Sequence, residues 1–262
     1  MVIPETEIEV HLNGKRVTTI VCRPDNPEEP SIGFLLNHGP FTSPEGIKSI
    51  RVHPRQKTVS IQAQIDEEAL QRLIQSGCRS GPYLDPAVPQ GDKPSADRRK
   101  AKMSDRDETG LFRSLYALTA RFQETIEVKG IFGAYHVAAL ANLKNRLLCE
   151  AGDVGMRVTV DRIIGKAFLA GLNCTHLILL ISDRLKADTV AKAARCGICC
   201  VVTTSVVTRL ALEVGLEYGV DIVSVKEKGT LTVYSRHTGV DLGRLGRIVA
   251  GKRPIQANAE KP

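Results

Sequence analysis

Residues 177–208 read "LILLISDRLKADTVAKAARCGICCVVTTSVVT". Residues 177–182 form a short apolar run, which suits a strand buried on both faces. Residues 184–195 read as a helix. Residues 198–204 repeat the buried-strand pattern, and residues 205–217 read as a second helix. Strand–helix alternation of this kind predicts a mostly parallel sheet covered by helices.

The pattern continues on both sides. Strands are expected near 220–225 and 230–235. Before the quoted stretch come a helix over 156–171 and a short strand at "RLLCE". Leu111, Leu115, Leu118 and Phe122 fall on one helix face. Residues 79–108 differ: they hold four prolines and many charges but almost no periodic apolar content. They read as a linker or mobile loop.

The first 77 residues are strand-rich. Ile8, Val10 and Leu12 alternate with polar residues, and Asn13-Gly14 supplies a tight hairpin turn to a return strand over 16–22. Pro24 to Pro27 is a break. A short helix follows, closed by Gly39-Pro40. Residues 47–53 and 57–64 look like a second strand pair. Asp66 is a good N-cap for a helix to about Ser76. The expected organisation is a small N-terminal domain (1–77), a cysteine-bearing loop (78–108) and an α/β domain (109–262).

Composition fits a globular chain: 262 residues, 42% hydrophobic and 25% charged. Aromatics make up 4% and Trp is absent, so the core should be aliphatic. No apolar run approaches the ~20 residues of a membrane span. The N-terminus lacks a signal-peptide pattern, so a cytoplasmic location is expected. The net charge of +7 favours an anionic partner. No Arg/Lys stripe interleaves with aromatics, which argues against nucleic acid.

Seven cysteines is an odd number, and a disulfide framework is not expected. Cys196-x-x-Cys199 joins a helix to an apolar strand with no second pair at zinc spacing, so packing is the better reading. His136 and His176 lack the glutamate of a zinc deaminase motif. Gly152-Asp-Val-Gly155 lies between a strand and a helix, and is either an anion-binding junction or an ordinary turn. His136 alone suits a core histidine. Arg157 with Asp161, and Arg184 with Asp188, are explained by local helical ion pairs; Lys192 is an ordinary helix-surface residue. Cys78 sits among Gly77, Arg79, Ser80 and Gly81. It is either a working thiol or a small filler at a helix end.

Together these segments resemble the FdhD-type accessory sulfurtransferases of formate dehydrogenases, over about residues 5–236. "GIFGAYHVAAL" is similar to T-G-G-x-H-x-A-x-L, keeping Gly133, His136 and Ala138. "GDVGMRVTVDRIIG" resembles E-D-V-G-R-H-N-A-x-D-K-x-x-G, keeping Asp153, Val154, Gly155, Asp161 and Gly165. The opening stretch resembles S-G-R-x-S-x-E-x-V-x-K-A-x-x-x-G-x-P…S-A-P-T, keeping Ser182, Arg184, Val190, Lys192, Gly197, Ser205 and Thr208.

The resemblance implies a cytidine-deaminase-like α/β domain with a small second domain, in a cytoplasmic homodimer. It implies a carrier that takes sulfur from a cysteine desulfurase as a persulfide. The sulfur goes to the molybdenum bis(molybdopterin guanine dinucleotide) cofactor of formate dehydrogenase. The implied carrier is Cys78, in the counterpart of an S-x-C-G-x-C-G loop. Implied cofactor contacts are His136, Asp153, Gly155, Arg157, Arg184, Lys192, Ser205, Thr208 and the segment Ser224, Val225, Lys226, Glu227, Lys228 and Gly229. No metal of its own is implied. Gly81 stands where the loop's second cysteine is expected, and Asp183 where a glycine is. These departures leave open an alternative: a module that binds the cofactor or a guanine nucleotide without moving sulfur.

Overall fold

The computed structural model describes residues 2–38, 46–75, 108–129, 133–175, 177–226 and 230–234. A four-stranded mixed sheet is built from β1 (Thr6–Leu12), β2 (Lys15–Cys22), β3 (Ile47–His53) and β4 (Thr58–Ala63), in the order β2-β1-β4-β3. β1 runs antiparallel to β2 and parallel to β4, and β3 is antiparallel to β4. Both turn residues of the first hairpin have positive φ, 50° at Asn13 and 81° at Gly14. That is the type I′ geometry the Asn-Gly pair favours. The Asn13 side chain also pairs with the backbone of Ala63 at 2.9 and 3.0 Å, tying the turn to β4.

Alternate positions Ile8, Val10, Leu12, Val59, Ile61 and Ala63 face one core with Ile32 and Leu35 of α1 (Glu28–His38) and Leu70 of α2 (Glu67–Gln75). Asp66 caps α2 as the sequence predicts: its carboxylate accepts from the amides of Glu68 (2.9 Å) and Ala69 (3.0 Å).

A six-stranded sheet has the order β10-β9-β8-β7-β5-β6. Its strands are β5 (His136–Ala141), β6 (Leu147–Asp153), β7 (Ile178–Ile181), β8 (Cys200–Thr203), β9 (Asp221–Lys226) and β10 (Thr230–Val233). β7, β8 and β9 are mutually parallel, and β10 returns antiparallel. The remaining helices are α3 (Glu108–Lys129), α4 (Met156–Leu169), α5 (Ala187–Arg195) and α6 (Arg209–Tyr218). The fold is thus mixed α/β with two mixed sheets.

Two compact units interleave along the chain. Of the described residues, one holds those within 2–75, 126–138 and 149–174; the other holds those within 108–125, 139–148 and 175–234. Within the first, α1 packs on α4 at two glycines. A Cβ on Gly33 would land on the carbonyl of Asp161, and one on Gly165 on the carbonyl of Glu29. Only glycine permits this backbone approach.

Two helices start later than the sequence suggests: α5 at 187 rather than 184, and α6 at 209 rather than 205. The preceding residues pair with each other. Leu185 N donates to Val206 O (2.9 Å), Thr208 N to Leu185 O (3.0 Å), and Leu185 bridges Val207 in parallel. The bridged backbone is extended, and the Leu185 carbonyl that a helix would offer to its own amides is taken by Thr208, so the helices open only after Lys186 and Thr208. Arg184 therefore precedes α5, and helical i,i+4 spacing with Asp188 does not apply to it. β6 runs to Asp153, three residues beyond the expected strand end at Glu150.

Candidate functional site

In the first unit, the residues marked out around Gly152–Gly155 gather at the start of α4. Gly155 is the N-cap of α4, and no side chain caps it. Thr159 Oγ1 donates to Gly155 O at 2.8 Å and to His136 O at 3.4 Å, so the start of β5 is tied to the first turn of the helix. His136 is half-buried and Arg157 exposed. Asp161 is drawn into the α1–α4 contact, where Asn37 Nδ2 donates to it at 2.6 Å.

Asp153 is fully buried, and its carboxylate is engaged within the fold. Oδ1 accepts from the amides of Arg23 (2.8 Å) and Val154 (2.7 Å), while Oδ2 accepts from Arg162 Nε (2.6 Å). Arg162, 2% exposed, donates onward. Its Nη1 reaches Asp25 O (2.8 Å), Asn26 O (3.2 Å) and Glu29 Oε2 (3.1 Å), and its Nη2 reaches Arg23 O (3.2 Å). Asp153 and Arg162 thus fasten the β2–α1 loop to the end of β6. The Arg23 guanidinium lies 4.8 Å over the Tyr135 ring and holds the Asp25 carboxylate at 2.9 Å. Burial raises the Glu29 carboxyl above the usual carboxylate range, against the pull of Arg162.

The second unit holds a different group. Loops 182–186 and 204–208 leave the C-terminal ends of the parallel strands β7 and β8. This is the edge at which α/β sheets bind ligands. Thr203 Oγ1 donates to Asp183 O at 2.6 Å and accepts from Ser205 N at 3.0 Å. The Asp183 carboxylate accepts from Arg184 N at 2.6 Å. Arg184 is exposed, while Ser205 and Thr208 are half-buried. Thr208 caps α6 by accepting from Ala211 N at 3.3 Å. Lys192 is half-buried within α5, more than a turn from these loops in sequence.

β9 ends at the same edge, with Thr203 opposite Ser224 and Lys226 two residues further on. Ser224 is buried, and its hydroxyl hydrogen-bonds the hydroxyl of the exposed Tyr234 at 3.2 Å. Val225 is half-buried, and Lys226 pairs with Thr230 across the β9–β10 hairpin. Glu227, Lys228, Gly229 and Cys78 lie outside the described residues, as does the 79–107 stretch.

The described cysteines sort by environment. Burial pushes the thiol of Cys22 up to about 12, with the Asp153 carboxylate adding to it. It pushes Cys174 and Cys199 to about 11, and raises Cys149 and Cys200. Cys199 Sγ donates to Leu177 O at 3.4 Å, and Cys196 caps the C-terminus of α5. Among the described residues no group of three or more His, Cys, Asp or Glu could hold a metal ion. Among them no helix is long and apolar enough to cross a membrane.

The residues missed from sequence are Arg162, Glu29, Arg23 and Asn37. Arg162 carried a signal: it is a cation flanked by Val160, Ile163 and Ile164 in a helix otherwise patterned for burial. A charge in such a place requires a partner.

The chain is 28% identical over 239 residues to the sulfur carrier protein FdhD of Shouchella clausii, covering 91% of this chain and 89% of that one. It is 26% identical over 241 residues to the sulfur carrier protein FdhD of Bacillus subtilis, covering 89% and 87%. A crystal structure of a candidate formate dehydrogenase accessory protein from Desulfotalea psychrophila superposes with a TM-score of 0.65 at 21% identity. That match covers 88% of this chain and 87% of the other, and it shows the fold alone. The FdhD/NarQ family model matches residues 3–241, and the chain belongs to that family.

Proposed function

We propose that this chain is a sulfur carrier for formate dehydrogenase maturation and that Cys78 is the carrier thiol. The Cys78 thiolate attacks the outer sulfur of a cysteine desulfurase persulfide. The donor's S–S bond breaks, a new S–S bond forms on Cys78, and the desulfurase thiolate leaves. The outer sulfur is then passed to the molybdenum bis(molybdopterin guanine dinucleotide) cofactor, the cargo of the process: the S–S bond on Cys78 breaks, the Cys78 thiolate leaves, and the two electrons that take the sulfur to sulfide come from the reduced metal of the cargo.

The observation that carries this reading is the state of the other thiols. Five of the six other thiols, those of Cys22, Cys149, Cys174, Cys199 and Cys200, are raised above the ordinary thiol value by burial, and the sixth, Cys196, is the C-cap of α5. Sulfur transfer needs a thiolate that can meet two partners. Cys78, beside Arg79 and between glycines, meets that need.

In the same reading, the cargo's guanine nucleotide lies along the C-terminal edge of β7, β8 and β9. Arg184 there offers a cation to a phosphate, and the paired loops hold Ser205 and Thr208 in place. Asp183 stays compatible with an anion because its carboxylate faces the amide of Arg184. Asp153 holds the Gly152–Gly155 turn within the first unit. The α/β part is cytidine-deaminase-like and the working species is a homodimer.

Replacing Cys78 with Ser in cells that depend on this chain should abolish formate dehydrogenase activity while soluble protein persists. Undiminished activity would remove the relay role. It would leave a cofactor-binding chaperone, a reading favoured by Gly81 in place of a second loop cysteine. GDP binding measured by calorimetry should survive Cys78→Ser and weaken with Arg184→Gln.

A further inference from the structure

The segment 46–63, spanning β3, a 3-10 turn at Pro54–Gln56 and β4, carries Lys48, Arg51, His53, Arg55 and Lys57 and no carboxylate. Lys48, Arg51, Arg55 and Lys57 are exposed, and none of them meets a carboxylate among the described residues. Elsewhere on the same sheet the cations have acidic partners: Arg16 and His11 meet Glu9 at 3.2 Å, and Lys15 meets Glu67 at 3.2 Å. The basic excess is therefore local to one edge.

That edge is open among the described residues. The sheet order is β2-β1-β4-β3, so β3 has a single neighbour. A strand with one neighbour presents unpaired backbone donors and acceptors on its other side. Its two faces differ. Ile50 and Val52 lie opposite the buried Ile61 and Val59, yet Val52 remains 37% exposed. Arg51 and His53 lie opposite Ser60 and Thr58, on the polar face. A strand laid beside β3 would meet apolar surface on one face and cations on the other.

We propose that the outer edge of β3 receives an extended acidic segment of a partner protein, added as a fifth strand. Its alternate side chains would be carboxylates facing Arg51 and apolar groups covering Val52, with Arg55 and Lys57 engaging carboxylates further along. Backbone pairing supplies affinity in such additions, and alternate side chains supply selectivity. Nucleic acid fits less well: residues 46–63 offer no Phe, Tyr or Trp for base stacking. The simpler role for edge cations is to repel stray strands, and the experiment separates the two.

The test uses the full chain and a fluorescein-labelled octapeptide alternating glutamate and valine, read by anisotropy. Saturable binding is expected. It should fall by about tenfold or more in the Lys48→Glu/Arg51→Glu/Arg55→Glu variant, whose folding is checked by its unfolding midpoint. If that variant does not fold, Arg51→Glu alone should weaken binding in the same direction. A peptide of the same sequence N-methylated at alternate residues, tested in both phases, should lose binding in one phase. Absence of binding, equal binding of both methylated peptides, or equal binding of a DNA duplex would overturn the proposal. Absence of binding would assign these cations to edge protection.

Discussion

Arg162 donates hydrogen bonds from all three of its nitrogens, and every acceptor lies within one compact unit. Removing one partner of such a buried pair strands the others, at a cost of about 3–5 kcal/mol. Arg162→Met should therefore destabilise the chain by about that much in urea unfolding, because Asp153 and Glu29 both lose their cation. Asp153→Asn should cost less: the Arg162 Nε–H loses its acceptor, but Arg162 keeps Glu29 and the amide oxygen can still accept from the amides of Arg23 and Val154. The thiols make a second residue-scale prediction. Iodoacetamide at about pH 8 should label Cys78 in the native protein well before Cys22, Cys149, Cys199 or Cys200, as peptide mapping would report. The folded chain holds the Cys22 proton up to about 12 and those of Cys174 and Cys199 to about 11. The unfolded chain releases them near the ordinary thiol value, so it binds fewer protons above that value. Stability should accordingly fall as pH rises from about 9 towards 12, and Cys22→Ala should flatten part of that fall in alkaline urea titrations.

At the scale of elements, the α1–α4 contact depends on Gly33 and Gly165. Each glycine to alanine change gains helix propensity of up to about 1 kcal/mol. Each also drives a methyl group into a backbone carbonyl, an overpacking that costs about 1–3 kcal/mol or more. Gly33→Ala and Gly165→Ala should lower the thermal midpoint, and the loss should be similar at either site because both act at one crossing. A midpoint that rises would mean the helices sit further apart. Much of the element order was legible from local chemistry: the Asn13-Gly14 turn, the Asp66 cap and the buried strands β7 and β8 are each dictated by nearby residues. The starts of α5 and α6 were not legible. They are set by hydrogen bonds between loops 182–186 and 204–208, and no window of sequence contains both partners.

On the scale of the whole molecule, residues 149–174, which hold α4, belong to the same compact unit as the N-terminal strands. Only the fold brings Gly33 to Asp161 and Glu29 to Gly165, so a linear reading of composition does not reveal it. The site was partly legible for a related reason. The Gly152–Gly155 turn and the 182–208 loops lie at strand–helix junctions, which sequence marks well. That Asp153 faces inward, to an arginine nine residues along, depends on the helix that follows. A carrier thiol must gain a sulfur atom from its donor, and tryptic mass spectrometry after incubation of the full chain with a cysteine desulfurase and cysteine reads that gain on Cys78. A gain of about 32 Da, one sulfur, on the Cys78 peptide and on no peptide holding Cys22, Cys149, Cys199 or Cys200 is predicted. An unmodified Cys78 peptide, from a chain that still binds GDP, would contradict it.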